Sequence, residues 1–288
     1  MSAIVVPFNV NGKEAIQSDS SQFLGSYFDP SYGIQWNILQ PDAPRRITPQ
    51  LLDEILTLQQ EFVAGFNSNP EVKYQIFGSE IPGVFSLGGD LKFFANCART
   101  RNEAALRKYG NEAIEVSYKR ATNFNLPITT ISLVKGVALG GGFEAALAAN
   151  YLIAERQATF SFPETRFGLF PAHGAFTFLR QRLPVRKAEE IIYSGKTYTA
   201  EELYEMGIVD IVCENGEGDA ATTQFIRKRH QQHQGIHAMR EMVQKFAPID
   251  REELYSIVDH WVDSVMNLNE KQLRMIEALA KTSENFLK

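Results

Sequence analysis

Three consecutive glycines, Gly140, Gly141 and Gly142, stand directly before an alanine-rich helical stretch whose first turn carries a single carboxylate, Glu144. Glycine lets a ligand come close to the backbone, and the free N–H groups at a helix start can point at an oxygen that gains negative charge. A donor held in place beside a lone acid is a catalytic arrangement. Twenty residues further on, the strand-like run Ala158 to Phe162 ends in Pro163-Glu164, a second carboxylate at the mouth of a β element. A second glycine site, Gly88-Gly89-Asp90, lies upstream in VFSLGGDLK, after an apolar stretch and before a helix. Alone it reads as a turn. If the backbone N–H of Leu87 and that of Gly141 converge, they form a two-donor hole able to hold the enolate oxygen of a thioester while an α-proton is removed.

The neighbours of Glu144 are Phe143, Ala145, Ala146 and Leu147, with no Lys or Arg within a turn, so a structural ion pair does not account for it. Glu164 has Arg166 two residues on and could equally serve as an N-terminal helix charge. His230, His233 and His237 share rough helical spacing but lie on a polar face without carboxylate support, and no metal site is expected of them. Cys97 and Cys213 are isolated thiols, which suits a reducing compartment and a packing role.

The elements that must position these groups alternate. Gly33 to Leu39, Val72 to Phe77, Pro127 to Val134, Leu152 to Ala154, Ala158 to Phe162 and Ile208 to Cys213 read as extended. Thr48-Pro49 caps a helix running to about Phe66, another helix spans much of Ala95 to Asn123, and Thr199-Ala200-Glu201-Glu202 is a capping box whose helix closes near Gly207. This alternation predicts an α/β fold. From about Asp219 strand signals vanish and amphipathic helices take over, dividing the chain into an α/β core, residues 1–215, and a helical C-terminal region, residues 216–288. After the cap at Asp250, Leu254, Ile257, Val258, Trp261, Val262 and Val265 fall on one apolar face that must cover the core or a neighbouring subunit.

At 288 residues the chain can bury a large interior. Its 29 basic against 34 acidic residues, a net charge of -5, argue against a nucleic-acid partner. The amino terminus, MSAIVVPFNVNGKEA, has no basic leader, and the apolar stretch from Gly136 to Ala154 carries Glu144 and Asn150, so the expectation is a cytoplasmic protein without a membrane span.

Several segments together resemble the crotonase superfamily, also called the enoyl-CoA hydratase/isomerase family. FSLGGDLKFF is similar to its FSAGADLKE-type motif, VKGVALGGGFEAAL to NG-x-A-x-GGG-x-E, FSFPETRFGLFP to FGxPExxxGxxP, and SGKTYTAEELYEMGIVDIVC to TGxxxxAxxAxxxGLVxxV, in the same order across roughly residues 33 to 215. The resemblance implies a crotonase-like spiral of ββα units whose helical C-terminal region closes an acyl pocket and mediates homotrimers or hexamers. It implies Glu144 and Glu164 as the acid/base pair and Leu87 and Gly141 as donors of the oxyanion hole. Gly88 and Gly140 are candidate substrate-binding residues, and Trp261 reads either as core of its amphipathic helix or as part of the acyl pocket. Asp90 and Lys92 match a stretch that approaches the nucleotide in coenzyme A users, and read equally as surface charges.

The departures narrow this further. The usual PGAGGTQRL is replaced by PAHGAFTFL from Pro171 to Leu179, and the usual NRPxxxNAL entry by QPDAPRRITPQLL. With the phenylalanine of GGGFEAAL, these segments look like diffusible signal factor synthases, which make cis-2-unsaturated fatty acids as signals. That resemblance implies dehydration of a medium-chain 3-hydroxyacyl chain on acyl carrier protein, followed by thioester hydrolysis, with no cofactor beyond the carrier thioester (acyl carrier protein or coenzyme A) and with a cognate sensor protein as a partner. A plain enoyl-CoA hydratase or isomerase is the alternative.

Overall fold

β-Branched and aromatic runs bounded by Gly, Pro and Asn form the strands of two large sheets, beside a short antiparallel pair Asn9–Val10 and Lys13–Glu14, in the computed structural model, which describes residues 9–10, 13–14, 21–68 and 71–285. The expectation about the amino-terminal leader lies almost wholly outside those residues. The larger sheet has six strands in the order Ile211–Cys213, Tyr151–Glu155, Thr129–Val134, Tyr74–Ser79, Ile34–Leu39 and Leu24–Asp29, all parallel except the last, which pairs antiparallel with its neighbour. Tyr74–Ser79 and Thr129–Val134 are buried along their whole length, as the near-continuous apolar character of central parallel strands requires.

The smaller sheet runs Thr197–Thr199, Thr159–Ser161, Val137–Leu139 and Val84–Ser86, with the last three mutually parallel. Each of these three follows a strand of the larger sheet and leads into a helical turn: Val84–Ser86 into Leu91–Thr100, Val137–Leu139 into Gly141–Leu147, and Thr159–Ser161 into the 3-10 turn Glu164–Phe167. This is the expected spiral of ββα units. Because the three strands are parallel neighbours, their carboxyl ends share one edge, and residues 87–90, 140–142 and 163–164 are brought side by side there.

Three expectations need correction. The helix expected from Ala95 to Asn123 is two helices, Leu91–Thr100 and Glu103–Ala121, parted where Arg101 takes a left-handed conformation (φ 55°) and Asn102 caps the second by accepting from the Ala105 amide. Asn at such a break is the signal that could have located it. Strands Leu24–Asp29, Val84–Ser86, Val137–Leu139 and Thr197–Thr199 were not anticipated; three of the four are only three residues long, too short for a period-2 pattern to register. The Ile208 to Cys213 strand begins only at Ile211, since Ile208 and Val209 close the turn after the Ala200–Glu205 helix.

The C-terminal helices divide their work. In Gly218–Arg229, Phe225 and Ile226 pack beneath the larger sheet with Ile131, Leu133 and Ile153. In Arg251–Met266, the face bearing Leu254, Val258, Trp261, Val262 and Val265 is buried within this chain, against Glu103–Ala121 and Leu91–Thr100. Gly110 makes the first crossing possible, because a Cβ there would lie 2.5 Å from Val258 Cγ1. No helix among the described residues is long and apolar enough to cross a membrane.

Candidate active site

Glu144 sits in the first turn of Gly141–Leu147, next to Phe143, which is wholly buried and stacks on Phe162 with ring centroids 4.7 Å apart. Anchoring Phe143 orients the short helix and leaves Glu144, 1% exposed, facing a cavity of about 180 Å³. Its Oε1 accepts from the His173 amide at 2.6 Å and the Ala175 amide at 2.9 Å. Glu164 lines the same cavity. It approaches the glycine cluster so closely that a Cβ on Gly140 would lie 2.0 Å from its Oε1, and Gly140 also adopts φ 50°, so side chains are excluded there twice over. Although Glu164 as a residue is only half-buried, its Oε2 is shut off from solvent and has no hydrogen-bond partner among the described residues.

Burial is the main cause that pushes both carboxyl groups far above the usual carboxylate range, Glu164 to about 7 and Glu144 to about 8; the charge of Glu164 adds to the shift of Glu144, while the two amides on its Oε1 oppose it. The pair therefore gives up its protons in coupled steps near neutrality, and one member can hold a proton while the other is ionised.

The glycine turns meet as expected, with one correction. The amide of Leu87 is committed to the Arg45 carbonyl at 2.7 Å and that of Gly88 to Ser86 Oγ at 3.2 Å, so Leu87 cannot donate into the cavity. The Gly89 amide is the one that turns toward Gly141, lying 3.6 Å from the position of a Cβ on Gly141. Gly141 is the first residue of its helix and its amide has no intrahelical acceptor. The entry segment QPDAPRRI, which sequence reasoning noted only as a departure, straps this turn from outside: Arg46 Nη1 donates to the carbonyls of Leu87 (2.8 Å) and Gly89 (3.1 Å), and Ile47 N–H to that of Gly88 (2.9 Å). Turning those carbonyls outward helps aim the Gly89 amide inward.

Gly88, Gly140 and Trp261 all line the cavity, and Leu279 from the last helix, Glu270–Asn285, joins them. Trp261 packs edge-on against Phe94 at 4.9 Å. Asp90 is the N-cap of Leu91–Thr100, its carboxylate accepting from the Lys92 and Phe93 amides, and Lys92 is exposed. Behind the first cavity, past Gly141 and His173, a smaller one of about 40 Å³ is lined by Leu39, Leu51, Leu52, Ile55, Phe77 and Val116 among others. Another concavity, about 1510 Å³, lies elsewhere along the His233–Phe246 helix, and neither Glu144 nor Glu164 lines it. His233 donates from Nε2 to the Lys73 carbonyl at 2.9 Å and packs on Tyr74, and no cluster able to hold a metal ion exists among the described residues.

Two glycine-lined amides and two proton-sharing carboxyls thus surround one cavity. The chain belongs to the enoyl-CoA hydratase/isomerase family, whose model matches residues 37–252. Methylglutaconyl-CoA hydratase of Mus musculus is 31% identical over 172 residues, covering 59% of this chain and 52% of that protein. Carnitinyl-CoA dehydratase of Salmonella enteritidis is 32% identical over 158 residues, 54% of this chain and 57% of that one. The chain thus spans about half the length of the curated relatives it matches. Among solved structures, an enoyl-CoA hydratase from Bacillus halodurans superposes with a TM-score of 0.74 at 23% identity, covering 89% of this chain and all of the other. DspI of Pseudomonas aeruginosa superposes with a TM-score of 0.65 at 25% identity, over 84% of this chain and 97% of that one. The fold is that of the crotonases.

Proposed function

We propose that this enzyme dehydrates a medium-chain 3-hydroxyacyl thioester on acyl carrier protein and then hydrolyses the thioester, releasing a free cis-2-enoic acid. The observation that carries the reading is the pair of buried carboxyls with proton affinities near neutrality beside the Gly89 and Gly141 amides. Glu164, the member ionised at lower pH, takes the α-proton, and the resulting charge moves to the thioester oxygen under the two amides. Glu144, still protonated at neutral pH, gives its proton to the β-hydroxyl, which leaves as water. Hydrolysis reuses the same amides, because the tetrahedral intermediate places its charge on the same oxygen.

The aliphatic lining of the smaller cavity supports an alkyl tail, and its modest volume implies that a long tail opens it further. The FSFPETRFGLFPAHGAF and QPDAPRR segments support the signal-synthase form of the reaction. Assembly into trimers or hexamers, a cytoplasmic site of action, a sensor partner and a functional division near residue 215 belong to the same proposal. A second reading, hydration or dehydration that leaves the thioester intact, is favoured by the named activities of the Mus musculus and Salmonella relatives. Mass spectrometry of the products from 3-hydroxydodecanoyl carrier protein separates them. Free dodecenoic acid supports the first reading, enoyl thioester alone supports the second, and neither product removes both.

A further inference from the structure

Between the two cavities stands a polar side chain that dehydration does not use. His173 is 7% exposed and lines both. Its Nδ1 lies 2.8 Å from the position a Cβ on Gly141 would take, so the ring rests against the Cα of the residue whose amide faces the thioester oxygen. Tyr109 and Trp261 hold the ring from the sides, with centroids 6.2 and 6.5 Å away. No hydrogen bond reaches a ring nitrogen among the described residues; the carboxyl Oε2 of Glu144 is 3.9 Å from Nδ1. Burial lowers the proton affinity of the imidazole to about 4, so it is neutral at physiological pH and one nitrogen keeps its lone pair. A buried acceptor facing a cavity calls for a water or a ligand group. Where the family pattern PGAGG has alanine, this chain has His173.

We propose that His173 is a catalytic residue of thioester hydrolysis, its Nδ1 accepting a hydrogen bond from the water that attacks the thioester carbonyl carbon. The inference rests on the thioesterase part of the proposed function. The ring is in its Nε2–H tautomer. The water oxygen forms the new C–O bond, and the carbonyl π pair moves to the oxygen held by the Gly89 and Gly141 amides. The proton leaving the water passes to Glu164, which is a carboxylate again once its α-proton has returned to the ionised Glu144. Collapse restores C=O and breaks C–S, and Glu164 returns the proton to the departing sulfur. Water and thioester give acid and thiol, and no other reactant is needed. Glu164 and Glu144 serve the α and β carbons, whereas His173 Nδ1 is the polar side-chain atom set beside Gly141, whose amide faces the thioester oxygen.

The test supplies 2-dodecenoyl carrier protein directly for hydrolysis and, in parallel, 3-hydroxydodecanoyl carrier protein for dehydration, to wild type, His173→Leu and His173→Asn. Leucine fills the space without an acceptor, asparagine restores one near Nδ1, and both keep the backbone amide that bonds Glu144. Hydrolysis by His173→Leu should fall about a hundredfold, a loss at least about thirtyfold greater than that of dehydration, and His173→Asn should recover hydrolysis. Unchanged hydrolysis in His173→Leu, or parallel loss of both reactions in both variants, would overturn the role of His173 alone. A wild type that dehydrates but never hydrolyses would instead remove the thioesterase reading, and this inference with it.

Discussion

In the larger sheet the strands run five or six residues apart from the three-residue edge Ile211–Cys213, and their ends lead into well-bonded turns. In the smaller sheet every strand is three residues long, and each of the three parallel ones opens into a glycine turn or a Pro-Glu pair. The long strands supply burial: Ile76, Ile131, Leu133 and Ile153 are wholly shielded. The short ones place backbone donors and carboxyls where three turns meet. Stability and chemistry are therefore carried by different sheets of one alternating chain, and substitutions should separate them.

The largest effect is expected at the smaller sheet. Gly141→Ala would set a methyl 2.8 Å from His173 Nδ1 beside the donor amide, and turnover should fall about 100- to 1,000-fold in a steady-state assay while the thermal midpoint shifts little. The converse is Leu133→Ala in the larger sheet, a fully buried position, expected to lower unfolding free energy by about 2–5 kcal/mol in urea titration with turnover per folded molecule retained.

Glu164 links the two properties. Its proton affinity in the folded chain, about 7, exceeds that of an unfolded glutamate, about 4.3, so the native state binds this proton more tightly. Its stabilising contribution is complete below pH about 4 and is lost as pH rises through about 7. Glu164→Gln should thus leave stability unchanged near pH 4 and raise it by about 1–3 kcal/mol at pH 8, measured by denaturant unfolding at both pH values. A smaller effect is expected at Asp90, whose carboxylate caps a helix. Asp90→Ala should cost about 1 kcal/mol of stability and leave the KM for the carrier thioester close to that of the wild type.

Much of the site was legible because its chemistry is local in sequence: three glycines, then Glu144 in the first helical turn, and Pro163-Glu164 at a strand end. The apolar face around Trp261 was legible by its helical period. What escaped depends on tertiary pairing. Which amide of Leu87, Gly88 and Gly89 faces inward is decided by Arg45, Arg46 and Ile47, some forty residues away, and no local rule reveals it. Arg120 in the polar-looking SYKRATN is 3% exposed and clamps the Ala145 and Ile131 carbonyls, a role set by which elements surround the end of its helix. His173 read as a departure from a pattern, but its place between two cavities follows only from the meeting of the turns.

The most direct test compares dehydration of 3-hydroxydodecanoyl carrier protein by wild type, Glu144→Gln, Glu164→Gln and the double variant, with circular dichroism to verify folding. Two carboxyls acting on one thioester predict a loss of at least about a hundredfold in each single variant and little further loss in the double variant. Wild-type turnover in either folded single variant would contradict the account.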